Sequence, residues 1–450
     1  MNRETQAPER QIGFWIALAL VVGNMIGSGI FLLPANLAPY GLNAVIGWVV
    51  TIAGSMCLAA VFAALARSLP AASGPYDYVR LALGEPTAFF VMWSYWISIW
   101  VTNAALSIAA VSYLSSLAPE TFAAPGVAAL VAISFVILFA GVACTGARTA
   151  GGVQIVTSIL KTLPLAAAIV IAVMVLGGGG EVAEYSQVPI SPNGVAGAAA
   201  LTLWAMLGFE CATVPASRVR DPERNIPRAT IIGTLIAGLI YLAASTAVFV
   251  LLPAGAAAAS SAPFADLVGN YWGREAATAV VAFAVISCLG ALNGWVLLQG
   301  EVPLALAHRG VFPRWFAAVN RRGMPVRAQV AGALLSVALI AANYTRGLTE
   351  LFGFVILLAT AATLVLYLFG GFSALRMMKE GRLRRGSLLV VTILGTVYAI
   401  WTFYGAGLEA TAWGAVLLAT GIPVYFLMSS RGSSSPLEEL APAAPPGSSA

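Results

Sequence analysis

Charge is scarce in this chain. Of its 450 residues only 9% are Asp, Glu, Lys or Arg, against 60% hydrophobic. Single soluble cores stop growing well below this size, so that balance excludes a soluble globular protein. Histidine is nearly missing: His308 stands alone beside Arg309 in a polar stretch between apolar runs. The four cysteines (Cys57, Cys144, Cys211, Cys288) are scattered singly without metal or redox spacing, which reads as small buried packing residues. No metal and no cofactor are expected. Period-two alternation is also missing, which excludes a β-barrel, while apolar runs of about 20 residues fit membrane-crossing helices. The net charge of +5 does not signal nucleic acid, because the basic residues lie between the apolar runs, where they set topology.

Twelve spans can be counted, at about 13–37, 42–66, 87–117, 125–144, 154–176, 195–217, 228–252, 275–306, 325–343, 350–372, 387–404 and 410–428. With both termini in the cytoplasm, 20 of the 23 Lys and Arg fall inside; only Arg274 and Arg346 fall outside, and Lys161 lies within a span. That bias fixes the expected orientation in a cytoplasmic (inner) membrane. Residues 1–12 form a short cytoplasmic segment. The apolar run after it is too long for a cleaved signal and is kept as span 1. The transporter domain is expected over 13–428, with repeats at about 13–176 and 195–372 and extra helices at 387–428. The Ser-, Pro- and Ala-rich segment 429–450 reads as a disordered cytoplasmic tail.

Span 1 contains Gly23-Asn24-Met25-Ile26-Gly27-Ser28-Gly29. Each glycine costs roughly 1 kcal/mol relative to alanine inside a helix. Non-helical backbone at membrane depth survives only where it lines a cavity or is buried in protein. The alternative is a small-residue packing seam. Span 6 repeats the anomaly in Leu203-Trp204-Ala205-Met206-Leu207-Gly208-Phe209-Glu210. Five helices separate the two spans, so the second five-helix unit runs inverted. Interrupted spans at matching positions of inverted halves mark a transporter site near the midplane, and this favours broken helices over a seam.

A broken span 1 offers the amides of Ser28, Gly29 and Ile30 as a helix N-terminus suited to a carboxylate. Carbonyls near Met25 and from Trp204 to Leu207 suit an ammonium group. Together the two subsites describe the common head of an α-amino acid. Trp204 and Trp295 lie mid-span, where tryptophan is unusual; they read as walls for the substrate side chain, the alternative being core filling. Asn103 in span 3 needs partners, either an interhelical hydrogen bond or a substrate, and Ser98 is a weaker candidate of the same kind. Glu210 and Lys161 are ionisable groups inside spans, and each costs at least about 2.5 kcal/mol at a helix centre unless it faces a cavity or partner. Glu210 suits a proton or counter-charge role. Lys161 suits a brace in place of a bound metal ion, with snorkelling as the alternative. Glu301 reads as a local partner for arginines, and Tyr76 and Tyr78 as lining the inner mouth.

The run Gly23 to Gly29 followed by Leu32-Leu33-Pro34-Ala35-Asn36-Leu37-Ala38 resembles the amino acid–polyamine–organocation superfamily, more narrowly its basic amino acid/polyamine antiporters. The likeness continues through Tyr95-Trp96, Asn103, Leu203-Trp204, Gly208, Glu210, Asp221 to Pro227, Gly294-Trp295 and Gly310 to Pro313. The resemblance implies an all-α integral membrane fold of twelve transmembrane helices: two inverted five-helix repeats with helices 1 and 6 broken, plus two C-terminal helices, often as a homodimer in the bilayer. It implies alternating access, with Ser28 and Gly29 on a substrate carboxylate and the carbonyls of Met25, Trp204 and Leu207 on its ammonium. Asn103, Trp204 and Trp295 would surround the side chain, and Tyr95 and Glu210 would serve gating or coupling. Two departures stand out. Lys161 in span 5 is similar to proton-coupled permeases and to other exchangers of the superfamily, and Val355 to Thr363 has only Thr360 and Thr363 as hydroxyls.

Two transport functions follow: exchange of a cationic amino acid for its amine or a related amino acid, or proton-coupled uptake of neutral amino acids through Lys161. An intramembrane enzyme built on Ser28 is a remote third, because no histidine lies in any span.

Overall fold

The computed structural model describes residues 13–27, 29–69, 74–145, 148–208 and 221–429. Ser28, Glu210, the rest of span 6 and both terminal segments lie outside them. Every regular element among the described residues is helical.

The first span is two helices, α1 (Phe14–Met25) and α2 (Gly29–Leu37). A 3-10 turn leads into α3 (Leu42–Ser68), then the short amphipathic α4 (Pro75–Leu83) and the long α5 (Glu85–Ser115). The single turn α6 (Pro119–Phe122) precedes α7 (Val127–Ala143) and α8 (Arg148–Gly177). After an extended stretch come α9 (Pro192–Ala205), α10 (Pro222–Leu251), the short α11 (Ala254–Ala259) and α12 (Pro263–Trp272), then α13 (Arg274–His308). The chain closes with α14 (Val326–Ala342), α15 (Leu348–Lys379), α16 (Gly386–Gly405), α17 (Gly407–Ala419) and α18 (Gly421–Ser429). Eight helical stretches among the described residues are long and apolar enough to cross a bilayer, so the protein is a multi-pass membrane protein.

Beyond Gly208 the sixth expected span lies outside the described residues; the other expected spans coincide with helices, with ends that differ by up to seven residues, as where α15 runs on to Lys379. The last one differs, being interrupted at Thr420. The Thr420 hydroxyl bonds back to the Leu417 carbonyl at 2.5 Å and accepts the Trp93 indole N–H at 3.2 Å. The following Gly421 lies against the Trp93 ring, where an added Cβ would come within 2.8 Å of it.

Local chemistry sets the corners. Ser191 caps α9, its hydroxyl accepting the Gly194 amide at 3.0 Å, with Pro192 at the first helical position. One corner occurs twice. The proline-started α4 ends at Gly84 (φ 92, ψ 168) and α5 opens on Glu85; the proline-started α12 ends at Gly273 (φ 86, ψ 175), with Glu275 in the first turn of α13. Only glycine takes that positive φ without strain.

The core centres on α5, which packs against α13 and α15 and also touches α4, α7 and α14. Its Ser94 hydroxyl donates to the Ala362 carbonyl of α15 at 2.8 Å, and the Trp100 carbonyl accepts the Ser336 hydroxyl of α14 at 2.7 Å. On the other flank, α9 is gripped by α3 and α16. Thr51 and Thr202 share a hydrogen bond at 2.8 Å, and the Tyr398 hydroxyl donates to Thr51 Oγ1 at 3.2 Å. Gly47 allows the close approach of α3, since a Cβ there would lie 2.7 Å from Ala198 Cβ.

Candidate substrate site

The first break is built by backbone and held by a neighbour. The Ile26 amide still bonds Val22 O at 2.8 Å, but the Gly27 amide turns back to Met25 O at 2.7 Å, closing an inverse γ-turn on Ile26 (φ −69, ψ 82). Met25 O also accepts the Tyr241 hydroxyl of α10 at 2.5 Å. The carbonyl expected to face an ammonium group thus already takes two protein donors. The α2 half is fixed by Tyr113 of α5, whose hydroxyl donates to Phe31 O at 2.8 Å.

The second break meets the first. After Ala205 the Met206 amide bonds Leu203 O at 2.9 Å, the Leu207 amide bonds Trp204 O at 3.2 Å, and Gly208 swings to φ 107. Gly29 sits directly against this turn. A Cβ at Gly29 would lie 2.8 Å from the Trp204 ring and 3.2 Å from Ala205 Cα. On the other side, a Cβ at Gly27 would lie 3.7 Å from Ala291 Cβ on α13. The two interruptions and the middle of α13 therefore converge on one point of the bundle.

From that point α13 presents Ser287, Ala291, Trp295 and Gln299 at intervals of four, one helical stripe. Trp295 is half-buried, and Trp204 is buried with its ring edge-on to Phe352 of α15 at 5.4 Å. Asn103 is fully buried, and its Nδ2 donates to Gln299 Oε1 at 2.8 Å. Gln299 Nε2 in turn donates to the Gln329 carbonyl of α14 at 2.9 Å. Several buried polar atoms here have no hydrogen-bond partner among the described residues: Asn103 Oδ1, Thr102 Oγ1, Trp204 Nε1 and Ser287 Oγ. Such atoms are rare in native interiors, and each one calls for a partner such as a bound molecule, an ion or ordered water.

Of the residues singled out by sequence, Met25, Gly29, Trp204, Leu207 and Trp295 lie on or beside the two breaks and the α13 stripe, and Asn103 is joined to that stripe through Gln299. The Ser98 hydroxyl donates to Tyr95 O on the preceding turn at 2.7 Å. Tyr95 is buried on the same helix, a turn or two from Asn103. Lys161 is fully buried on α8, which packs against α10 and α13, and it lies within electrostatic reach of Cys288. It does not snorkel. Ser28 and Glu210 lie outside the described residues.

The cytoplasmic end predicted from charge bias carries a separate cluster. Asp77 of α4 accepts Arg309 Nη1 on both oxygens at 3.1 Å, and Arg309 also lies 5.9 Å over the Tyr76 ring. Arg309 is thus paired to Asp77, whereas Glu301 is exposed and forms no ion pair among the described residues, contrary to its expected role. Tyr76 and Tyr78 are buried beside Asp77 rather than lining an open mouth. Burial, reinforced by nearby carboxylates, pushes both phenols up to about 12.

Sequence reasoning missed Tyr241, Gln299 and Gln329. Each is a polar residue inside an apolar span, the one signal that could have marked them.

A family model described as amino acid permease matches residues 12–430. The chain belongs to the amino acid permease family. Within it, this permease is 31% identical over 407 residues to a cadaverine/lysine antiporter of Escherichia coli K12, covering 88% of this chain and 90% of that one. It is 28% identical over 432 residues to the putrescine transporter PotE of the same organism, covering 95% and 98%. These relatives put the permease with the basic amino acid/polyamine antiporters. It is a transporter of amino acids or amines, and not an enzyme.

Proposed function

We propose that the chain exchanges a cationic amino acid for its amine or a related amino acid by alternating access. The observation that carries this reading is the convergence of Gly29, Trp204 and the α13 stripe, with the unpartnered acceptor Asn103 Oδ1 at the end of that stripe. The amino acid head would sit at the breaks, its carboxylate on the amides of Ser28 and Gly29 and its ammonium on the carbonyls of Trp204 and Leu207. Met25 O already accepts two protein donors, and Trp204 O accepts the Leu207 amide. The side chain would run along Trp204 and Trp295 toward Asn103, each desolvated aromatic face adding up to about 2 kcal/mol for a cation. Tyr95 and Glu210 would gate the path.

This reading includes twelve spans in two inverted repeats, with both termini cytoplasmic. The two matching corners at Gly84 and Gly273 support the repeat, since each joins an amphipathic helix to the long third helix of its half. A homodimer remains part of the reading.

One observation favours a second reading. Lys161 is fully buried on α8 within electrostatic reach of Cys288 on α13, which supports a proton-gated brace between the first and eighth spans. It supports proton-coupled uptake of neutral amino acids.

Proteoliposomes separate the two. Labelled arginine is offered to vesicles preloaded with arginine or agmatine, to empty vesicles, and to empty vesicles under an inward proton gradient. Uptake only into loaded vesicles is expected. Uptake into empty vesicles driven by the gradient would favour the Lys161 reading, and no arginine uptake anywhere would remove the cationic substrate.

A further inference from the structure

The amide chain Asn103–Gln299–Gln329 has a direction, and one fixed end sets it. Amide oxygen and nitrogen look alike and are assigned from their partners. The Gln329 backbone carbonyl, however, can only accept. The Gln299 group 2.9 Å from it must therefore be the donor, Nε2. That places Gln299 Oε1 toward Asn103, and the Asn103 group 2.8 Å away must be its donor, Nδ2. The amide is thereby oriented, and Asn103 Oδ1 is its one polar atom without a partner among the described residues. A backbone atom on α14 thus decides what the α5 side chain offers.

The chain is built to stay in place. A Cβ on Gly332 would overlap the Gln299 side chain, and a Cβ on Gly300 would come within 2.6 Å of Gln329 Nε2. Each glutamine lies over a glycine of the opposite helix. The Gln299 carbonyl also accepts the Trp96 indole N–H of α5 at 3.1 Å. The geometry suits a long substrate. Gln299 lies two turns beyond Ala291, about 12 Å along the axis, and its side chain leans back toward the helix N-terminus and Trp295.

We infer that Gln299 is a positioning residue for specificity: anchored on the Gln329 carbonyl, it holds Asn103 Nδ2 and so fixes Oδ1 as the atom offered to the substrate, so that the site selects substrates whose side chains end in N–H donors. This inference rests on the cationic-substrate reading above. An unlocked asparagine can turn its amide and offer a donor instead, and then a neutral side chain ending in a carbonyl fits as well. Hydrogen bonds to charged groups are the stronger kind, so the lock is worth most against neutral isosteres.

Arginine and citrulline are the probes, nearly identical in shape, with a guanidinium in one and a neutral ureido group in the other. Their competition against labelled arginine exchange is measured in proteoliposomes for the wild type, Gln299→Glu and Gln299→Met. The wild type should prefer arginine. Gln299→Glu should keep that preference, because a protonated carboxyl donates to the Gln329 carbonyl through its hydroxyl and accepts from Asn103 through its other oxygen. Gln299→Met should lower the arginine-to-citrulline preference by about tenfold or more, the lost discrimination of one charge-assisted bond, seen in KM rather than kcat. A Gln299→Met protein with the wild-type ratio, or a Gln299→Glu protein that loses the ratio equally, overturns the inference and leaves the substrate reading standing. A wild type with no preference for arginine overturns the substrate reading first and the inference with it. If Gln299→Met does not fold, Gly332→Ala tests the same point by pushing the Gln299 amide off Asn103. The same direction of change is expected, and an unchanged ratio counts against the lock.

Discussion

Helix α5 and the terminal pair α17–α18 have nearly the same mean hydropathy, 1.5 and 1.6 over their most apolar stretches, yet 94% of that stretch is buried in α5 and only 6% from Gly407 to Met428. Hydropathy reports what a helix can dissolve in, and lipid and protein interior are equally good solvents for it. What separates the two is the kind of polar residue. Helix α5 carries Ser94, Ser98, Thr102, Asn103, Ser107 and Ser112, all buried. The terminal pair instead presents Leu408, Trp413, Val416, Phe426 and Leu427 outward. Small hydroxyls and amides inside an apolar helix mark the axis of the bundle, and bulky apolar side chains mark its lipid face.

The sharpest test of that contrast puts the same substitution on both helices. Ala105→Leu on α5 adds three carbons where nothing is exposed, and such overpacking costs about 1–3 kcal/mol or more. Heating detergent-purified protein and following its monodisperse fraction should reveal a large loss of stability, whereas Ala415→Leu on exposed α17 should leave the curve in place. A smaller stability effect with a large functional one is expected for Gly29→Ala. Its Cβ would crowd the Trp204 ring at 2.8 Å, so exchange should fall at least about tenfold, because misplaced site geometry is costly even when the fold survives.

Next in size is Tyr241→Phe, which frees Met25 O from one of its two donors. Interhelical hydrogen bonds in membranes average about 0.6 kcal/mol, reaching about 1.7, and the melting curve should shift accordingly. An unchanged curve would mean the γ-turn alone holds the break. Titration gives a further test. The folded-state pKa of Tyr76 and Tyr78 is raised above the ordinary 10.0 to about 12, so their contribution to stability is complete below about pH 10 and disappears as pH climbs toward 12. Stability should be insensitive to these phenols between about pH 6 and 9, with Arg309→Gln tested alongside to isolate the Asp77 pair. The smallest effect belongs to Val416→Ala on the lipid face, expected within about 0.5 kcal/mol.

The interruption of the first span was legible in the sequence, and so was the end of α9 at Ala205, because glycines with polar neighbours inside apolar runs have few other uses. Trp204 was legible too, as a large aromatic beside a break. The partner of Asn103 was not. A polar residue announces that it needs a partner, but which helix supplies one depends on how α5, α13 and α14 are rotated about their axes, and apolar runs buried on several sides carry little periodicity to fix that rotation. Glu301 illustrates the same gap: its charge suggested an arginine partner, and the helix rotation gave Arg309 to Asp77 instead. The donor of Ser98 was equally hidden: a serine in a helix can spend it on the preceding turn, as Ser98 does on Tyr95 O.

The partners of α5 also have a place in time. Its residues 85–115 leave the ribosome first, but Ser94 waits for the Ala362 carbonyl, Asn103 for Gln299, and the Trp100 carbonyl for Ser336. Nearly two hundred further residues must be made before the first of these arrives. Through that interval the central helix of the finished transporter lacks these partners. A helix that must end in the middle has to be kept waiting at the edge, and its assembly belongs to the last third of synthesis.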